Sequence, residues 1–507
     1  MSITLFAAIY VGSYEVSLKI MEISKKKGIR EIDHIRSRIG IGRNIYQQKK
    51  VETEVMEELC EILSEYSQII KSYRADACRA YAGAFLKEAQ NALFVIEQIR
   101  IRTGFQVQIL SNSERRFLSY QSMTAREEFE EMAQKGAAVV DVGGESIQIT
   151  LFVEGGVVTT QHLVLGTLRL KEQLSEIGHF TLRLEKQMEE LINKEIEVFK
   201  SMYLKKKEVH YLILLGDYIS EVINGVQKGG ITVETDVLTE YLKRLEKTDV
   251  EEVAEELGLA HADPLLIPSV VMYGCMVGGL GTKEIWVPGN DISDGIAYQY
   301  ARERKLLTSV HDFEKDVMSA ATNLSKRYRS YSPHLDALTE MSSMIFDAIK
   351  KIHGMGNRER LLLRAAAVVH DCGKFVSLAN GAECTYNIIM ASEIIGLTHL
   401  EREIVARAVL YHTKPMDPYE DVVDKLDVES YMTATKLAAI LRVANALDRS
   451  HKQKFKIVRI SLKKKELLIT VETEDDIVLE KGLLAKRSDS FKAIFGIKPI
   501  LREKKSF

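Results

Sequence analysis

Two groups of residues in this chain have the types and spacing to do chemistry. The first centres on Asp141 in DVGGES (141–146), where a carboxylate ends an apolar run just before Gly143-Gly144. Glycines in a turn let backbone N–H groups approach an anion with no Cβ in the way. A carboxylate beside them can hold a divalent metal or a water. A related turn, Gly12-Ser13 in YVGSYE, occurs 131 residues earlier. The second group is His334, His370-Asp371 in VVHDCGKF, and Asp448 in RVANALDRSH, spaced by 36 and then 77 residues. A His-Asp pair at the end of an apolar helix has to be partnered or bind something, because an unpartnered buried polar group costs several kcal/mol. Imidazole with carboxylates suits manganese, iron, magnesium or zinc. His412 in LYHTK is a further candidate ligand, and Lys374 and Arg449 could receive an anion. A plain hydrogen-bond network is the competing reading of the same four residues, and an ordinary hairpin is that of the glycine turns.

The elements that must position these residues differ along the chain. Phe6–Val11 is an apolar run, followed by Gly12-Ser13 and then alternating Val16, Leu18 and Ile20, a strand–turn–strand pattern. The layout repeats at 137–153, with AAVVDV, the glycine pair, and alternating Ile147, Ile149, Leu151 and Val153. Helical periodicity fills much of the rest, so a duplicated α/β fold with a cleft between its halves is expected. Beyond about residue 300 the pattern is helix after helix. Ser332-Pro333 suits the N-cap and first position of a helix that Gly354 stops. RERLLLRAAAVVH is apolar on nearly every face and should be central to its domain. FKIVRISL, ELLITVET and DIVLE alternate in short runs and predict a few strands near the end, with Lys463-Lys464-Lys465 as a hairpin turn. Four parts follow: 1–125, 126–303, 304–452 and 453–507.

With 507 residues, 46% hydrophobic and 28% charged, the chain is too long for one core and is neither disordered nor fibrous. The net charge of −3 argues against a nucleic-acid binder. It conceals an asymmetry: residues 451–507 carry 15 Lys/Arg against 8 Asp/Glu, so a basic tail follows an acidic body. Five scattered cysteines without a CxxC pair suggest reduced thiols and a cytoplasmic protein. The uncharged stretch 264–282 holds two prolines and four glycines and predicts a buried helix, not a membrane span.

The ordered motifs resemble the Ppx/GppA family of exopolyphosphatases and guanosine pentaphosphate phosphohydrolases. YVGSYE (10–15) is similar to a DxGSNS phosphate turn, and DVGGES to DIGGGS. SNSERRF (111–117) resembles SGxEEAR, FLKEAQN (85–91) resembles ALREAxN, and LGTLRL (165–170) resembles LGxxRL. The helix ADPLLIPSVVMYGCMVGG (262–279) completes the series. The resemblance implies two α/β domains of the actin-like, sugar-kinase-like ATPase fold, then an all-α HD-like domain and a small basic α+β module. It further implies a phosphate cleft of Gly12, Ser13, Lys87, Gly143, Gly144, Ser146, Gly166 and Arg169. Asp141 would be a metal or water ligand, and Glu114 the substitute base. Mg or Mn is implied at the cleft. The H…HD…D pattern of His334, His370, Asp371 and Asp448 resembles the HD phosphohydrolase signature, with Mn, Fe, Mg or Zn implied there. Inorganic polyphosphate or guanosine pentaphosphate is the implied substrate, a homodimer the implied assembly.

The chain departs from that family at sign-bearing positions. Tyr10 stands where the first turn carries Asp, Arg115 where the EEA segment carries its second carboxylate, Glu145 where the second turn carries its third Gly, and Lys87 where an Arg faces phosphate. Two alternatives therefore stand beside the hydrolase: a phosphate- or nucleotide-binding sensor built on the cleft, and a phosphohydrolase working at the HD site. Trp286 is expected in the core, and His311-Asp312 on a solvated helix face.

Overall fold

The computed structural model describes residues 3–177, 184–205, 208–227, 231–259, 262–307 and 311–504. They form two compact units, 1–312 and 313–507. Unit 1 contains two sheets. In the first, β1 (Thr4–Val11), β2 (Glu15–Ser24) and β3 (Gly28–Arg38) form an antiparallel meander. β4 (Ala77–Ala82) and β5 (Val107–Ile109) add parallel strands beside β1, giving the order β3-β2-β1-β4-β5. The second sheet repeats the plan. β6 (Ala137–Val142), β7 (Ile147–Val153) and β8 (Gly156–Leu163) make the meander, and β9 (Tyr211–Gly216) runs parallel to β6. Next come β11 (Glu284–Trp286) and, at the edge, β10 (Thr232–Glu234).

The repeat extends to register. Tyr10 pairs with Ser17 and Val11 with Val16; Asp141 pairs with Gln148 and Val142 with Ile147. Tyr10 and Asp141 are thus equivalent residues, each next to last in its strand before a glycine turn. β6 and β9 are buried nearly throughout, as parallel strands covered on both faces require. The uncharged stretch forms the helix Leu266–Leu280, packed into the core of the second sheet with Trp286 fully buried nearby. No helix among the described residues is long and apolar enough to cross a membrane.

Unit 2 is mainly helical, with the helices Ser332–Ala348, Asn357–Val369, His399–Tyr411 and Val428–Leu447. The apolar helix Asn357–Val369 is central, its residues from Leu361 onward almost all buried. Tyr331, not Ser332, is the N-cap of the first of these, so Ser332-Pro333 sits one position further into the helix. β12 (Ile457–Lys463) and β13 (Glu466–Glu472) form the expected hairpin, with Lys464 at φ 54° in its turn. DIVLE is not a strand. Asp476 accepts the Val478 N–H at 2.9 Å and opens the helix Val478–Phe495, after which β14 (Lys498–Glu503) pairs parallel to β13.

Candidate functional site

The two glycine turns of unit 1 meet at one cavity of about 440 Å³. A Cβ on Gly144 would lie 2.7 Å from Ser13 Oγ, so the turns touch only because that residue is glycine. Gly12 N–H and Gly143 N–H close their own turns on the carbonyls of Glu15 and Ser146. Gly166 stands behind the second turn, where a Cβ would lie 2.1 Å from the Glu145 carbonyl carbon. The N–H groups of Thr167, Leu168 and Arg169 bond the carbonyls of Gly143 and Gly144, so the start of a helix holds this turn in shape.

Of the expected cleft residues, Gly12, Ser13, Asp141, Gly143, Gly144 and Ser146 line the cavity. Four do not. Gly166 lies behind the wall, and Lys87 is exposed on a short 3₁₀ turn outside it. Arg169 is drawn away to Glu88 at 2.5 Å and stacks over Tyr46 at 4.8 Å. Glu114 is the third residue of the helix Asn112–Thr124, where its carboxylate accepts from Ser111 N at 2.7 Å and Ser111 Oγ at 2.6 Å. That capping box keeps Glu114 out of the cavity wall; the serine before the helix made it the better cap than base.

All three sign-changed positions do line the cavity: Tyr10, Arg115 and Glu145. Arg115 Nη1 lies 3.3 Å from Asp141 Oδ2, an ion pair at the mouth of the second turn. Arg36 and Arg38 are the other cations in the wall. Against them stand six carboxylates, those of Glu15, Asp141, Glu145, Asp217, Glu221 and Asp291. Arg36 lies 3.7 Å from both Glu15 and Glu221, too far for strong pairing. Burial raises the Glu15 carboxyl to about 7, with Arg36 opposing the rise and Asp217 adding to it. Enclosure likewise raises Asp217 to about 6, Arg115 opposing and Asp141 adding. Glu15 and Asp217 were missed in the sequence, although each sits beside a signal. Glu15 lies two residues after Gly12-Ser13, and Asp217 follows Gly216, which pairs with Val142 at the end of the neighbouring strand.

Unit 2 gathers the second group. His334 and His370 are fully buried, at 0% and 2% exposure, with rings 5.2 Å apart. His334 Nδ1 donates to Asp448 Oδ2 at 2.8 Å, and His370 Nδ1 donates to the Ala367 carbonyl at 2.8 Å. Asp448 also accepts Gln453 N and Gln453 Nε2, both at 2.9 Å. Its carboxylate therefore orients His334 from behind and holds Gln453 at the same time. His451, absent from the sequence expectation, completes the cluster. One ring nitrogen of it, one of His334 and a carboxylate oxygen of Asp371 all lie within 4.8 Å of one another. Its place three residues after Asp448 was the available clue. Burial pushes His370 down to about 4; burial also disfavours the Asp371 carboxylate, but His370 and Lys374 overcome this and hold it at about 2. His412 lies beside His370 with ring centroids 5.4 Å apart, and its Nδ1 donates to the Val409 carbonyl. His311 is not on a solvated face: its Nε2 meets Tyr120 OH at 2.9 Å beside the Phe129 ring.

Comparison with known proteins assigns this architecture. The sequence model of the Ppx/GppA phosphatase family matches residues 20–256, and that of Ppx/GppA phosphatase domain III matches residues 318–488. The chain belongs to the Ppx/GppA phosphatase family. A guanosine-5'-triphosphate,3'-diphosphate pyrophosphatase of Pseudoalteromonas atlantica is 20% identical over 465 residues, 88% of this chain and 86% of the relative. The crystal structure of the Aquifex aeolicus Ppx/GppA family member is similar with a TM-score of 0.50 and 18% identity, covering 61% of this chain and all of that one. An exopolyphosphatase of Cytophaga hutchinsonii has a TM-score of 0.50 at 14% identity, covering 60% and 100%. These likenesses establish the fold, while the Ppx/GppA site itself has to be read from the side chains described above.

Proposed function

We propose that the protein is a phosphoanhydride hydrolase that releases the terminal phosphate of inorganic polyphosphate or guanosine pentaphosphate in the unit 1 cleft. The observation that carries this reading is the contact of two equivalent glycine turns at one cavity, with Asp141 at the end of one strand and Arg115 beside it. The turns would cradle the terminal phosphate with the N–H groups of Ser13 and Gly144, and Arg115 would meet its oxygens. Glu15, poised near 7, is the base that takes a proton from the attacking water. The water oxygen bonds to phosphorus, the bridging P–O bond breaks, and the shortened chain leaves with the electron pair. Family membership supports the reaction class.

Six carboxylates against three arginines would repel a polyphosphate chain. That donor set fits Mg²⁺ or Mn²⁺, hard ions with oxygen ligands. Asp141 and Asp217 would hold the ion, which would shield charge on the terminal phosphate. We read the duplicated halves of unit 1 as the actin-like ATPase arrangement and the helices of unit 2 as an HD-like domain.

A second reading, a phosphate-binding sensor without turnover, is favoured by the Arg115–Asp141 pair and by the diversion of Glu114 into a helix cap. Phosphate release from polyphosphate, guanosine pentaphosphate and simple phosphoesters separates these readings. Hydrolysis of the anhydrides, lost in Asp141→Ala and kept in Asp371→Ala, supports the cleft. Loss in Asp371→Ala alone moves the chemistry to unit 2, and no turnover on any substrate leaves the sensor.

A further inference from the structure

Strand β2 buries a charge on a face that is otherwise built for apolar packing. Met21 and Ile23 pack there with Ile296, Ala297 and Ala301 of the helix Ile292–Glu303, yet the preceding position on the same face is Lys19, 2% exposed. Its Nζ lies 2.9 Å from Asp291 Oδ2, 3.1 Å from Asp294 Oδ2 and 3.1 Å from Glu31 Oε2. An ammonium has three N–H groups, so three carboxylates match it one to one. Burial disfavours the charge, but Asp291, Asp294 and Glu31 overcome it and raise Lys19 above its ordinary value.

Two of those carboxylates belong to one helix start. Asp291 Oδ1 accepts the N–H groups of Ser293 at 2.8 Å and Asp294 at 3.2 Å, while Asp294 Oδ2 accepts the Asp291 N–H at 2.8 Å. Lys19 therefore grips a cap that is already closed on itself. Gly289, Asn290 and Asp291, which lead into this helix, line the cleft. One turn further on, a Cβ on Gly295 would lie 2.2 Å from the Leu118 carbonyl oxygen, so the helix presses on the backbone of the helix Asn112–Thr124. Asn290 Nδ2 also donates to the Ser122 carbonyl at 3.4 Å. Arg115 stands on that second helix, one turn before Leu118.

We propose that Lys19 is a positioning residue for Arg115, tying the strand that leaves the first glycine turn to the helix Ile292–Glu303 and, through it, to the helix that presents the Arg115 guanidinium to the terminal phosphate. This role rests on the hydrolase reading of the cleft. Stability alone does not call for a lysine here, because well-packed apolar side chains commonly replace buried ion pairs without loss. Apolar contact is non-directional, however, whereas three N–H groups on three carboxylates fix where the helix cap sits. A phosphate-binding arginine needs that accuracy, since a displacement of about 1 Å at a reacting centre costs about a hundredfold in rate.

A double-mutant cycle on the full chain tests this, with phosphate release from polyphosphate and guanosine pentaphosphate as the readout. Lys19→Met alone leaves three carboxylates without their cation and is apt to unfold the first sheet. The paired variant Lys19→Met/Asp294→Asn restores the net charge of the cluster, and the asparagine oxygen can still accept the Asp291 N–H. Thermal denaturation shows that it is folded. Its kcat/KM should fall about 10–100-fold. In an Arg115→Ala background the same pair should change kcat/KM by less than about twofold, because the residue it positions is gone. Wild-type kcat/KM in the folded pair variant overturns the proposal. So does a loss of the same size with and without Arg115, which would show that Lys19 acts by another route. Absence of hydrolysis by the wild type overturns the hydrolase reading and this role with it, whereas the other two outcomes leave that reading standing.

Discussion

The unit 1 cleft and the unit 2 histidine cluster solve the burial of charge in opposite ways. The cleft is open and rich in carboxylates, and its Arg115–Asp141 ion pair, 3.3 Å long, faces the cavity. The cluster is buried, its imidazoles are fixed from behind by Asp448 and Ala367, and His334 Nε2 and His370 Nε2 have no hydrogen-bond partner within the protein. An open acidic wall suits a polyanion that arrives with hard cations. The buried imidazoles are instead held in a fixed orientation by hydrogen bonds from behind. Family likeness alone does not distinguish the two, because the matched segments span both.

Substitutions break this comparison in graded ways. Asp141→Ala should have the largest effect, lowering kcat/KM for terminal phosphate release about a thousandfold, whereas Asp371→Ala in unit 2 should leave it unchanged. Steady-state phosphate assays on both variants check it. Arg115→Glu should reduce kcat/KM about a hundredfold, since it exchanges the phosphate-facing cation for a carboxylate beside Asp141. A gain of activity there would show that the cleft lacks a family-type base and that Arg115 obstructs it. Gly166→Ala drives a Cβ into the Glu145 backbone and should cost about 1–3 kcal/mol of stability, with a raised KM from the displaced turn, measurable by denaturant unfolding and kinetics. Glu114→Ala should cost about 1 kcal/mol as a lost helix cap and change turnover by less than about twofold. A large loss of turnover would return Glu114 to the catalytic machinery.

Much of the scaffold was legible because periodicity and glycine report it directly. The two strand–turn–strand repeats, the central apolar helix and the buried uncharged helix all follow from patterns within one element. Side-chain allegiance was not legible. Glu114 carries the right charge near the right motif, yet Ser111 three residues before it claims it for a cap. Lys87 and Arg169 matched family positions, but one is exposed and the other is bound by Glu88. DIVLE alternates like a strand, and only the Asp476 side chain decides that a helix begins there. The role of Asp448 depends on Gln453, a partner that spacing between histidines and aspartates does not reveal. Glu15 and Asp217 acquire interest only when the cleft raises them to about 7 and about 6.

The central claim is that the cleft hydrolyses phosphoanhydrides with Glu15 as base, and the pH dependence of kcat/KM tests it most directly. For the wild type on guanosine pentaphosphate and on polyphosphate, the active form carries the Glu15 carboxylate. The rate should therefore fall about tenfold per pH unit below a midpoint near 7 and level off above it. Glu15→Gln should lower the plateau about a hundredfold or more and abolish that limb. A Glu15→Gln enzyme with the wild-type rate and the same midpoint would contradict the account.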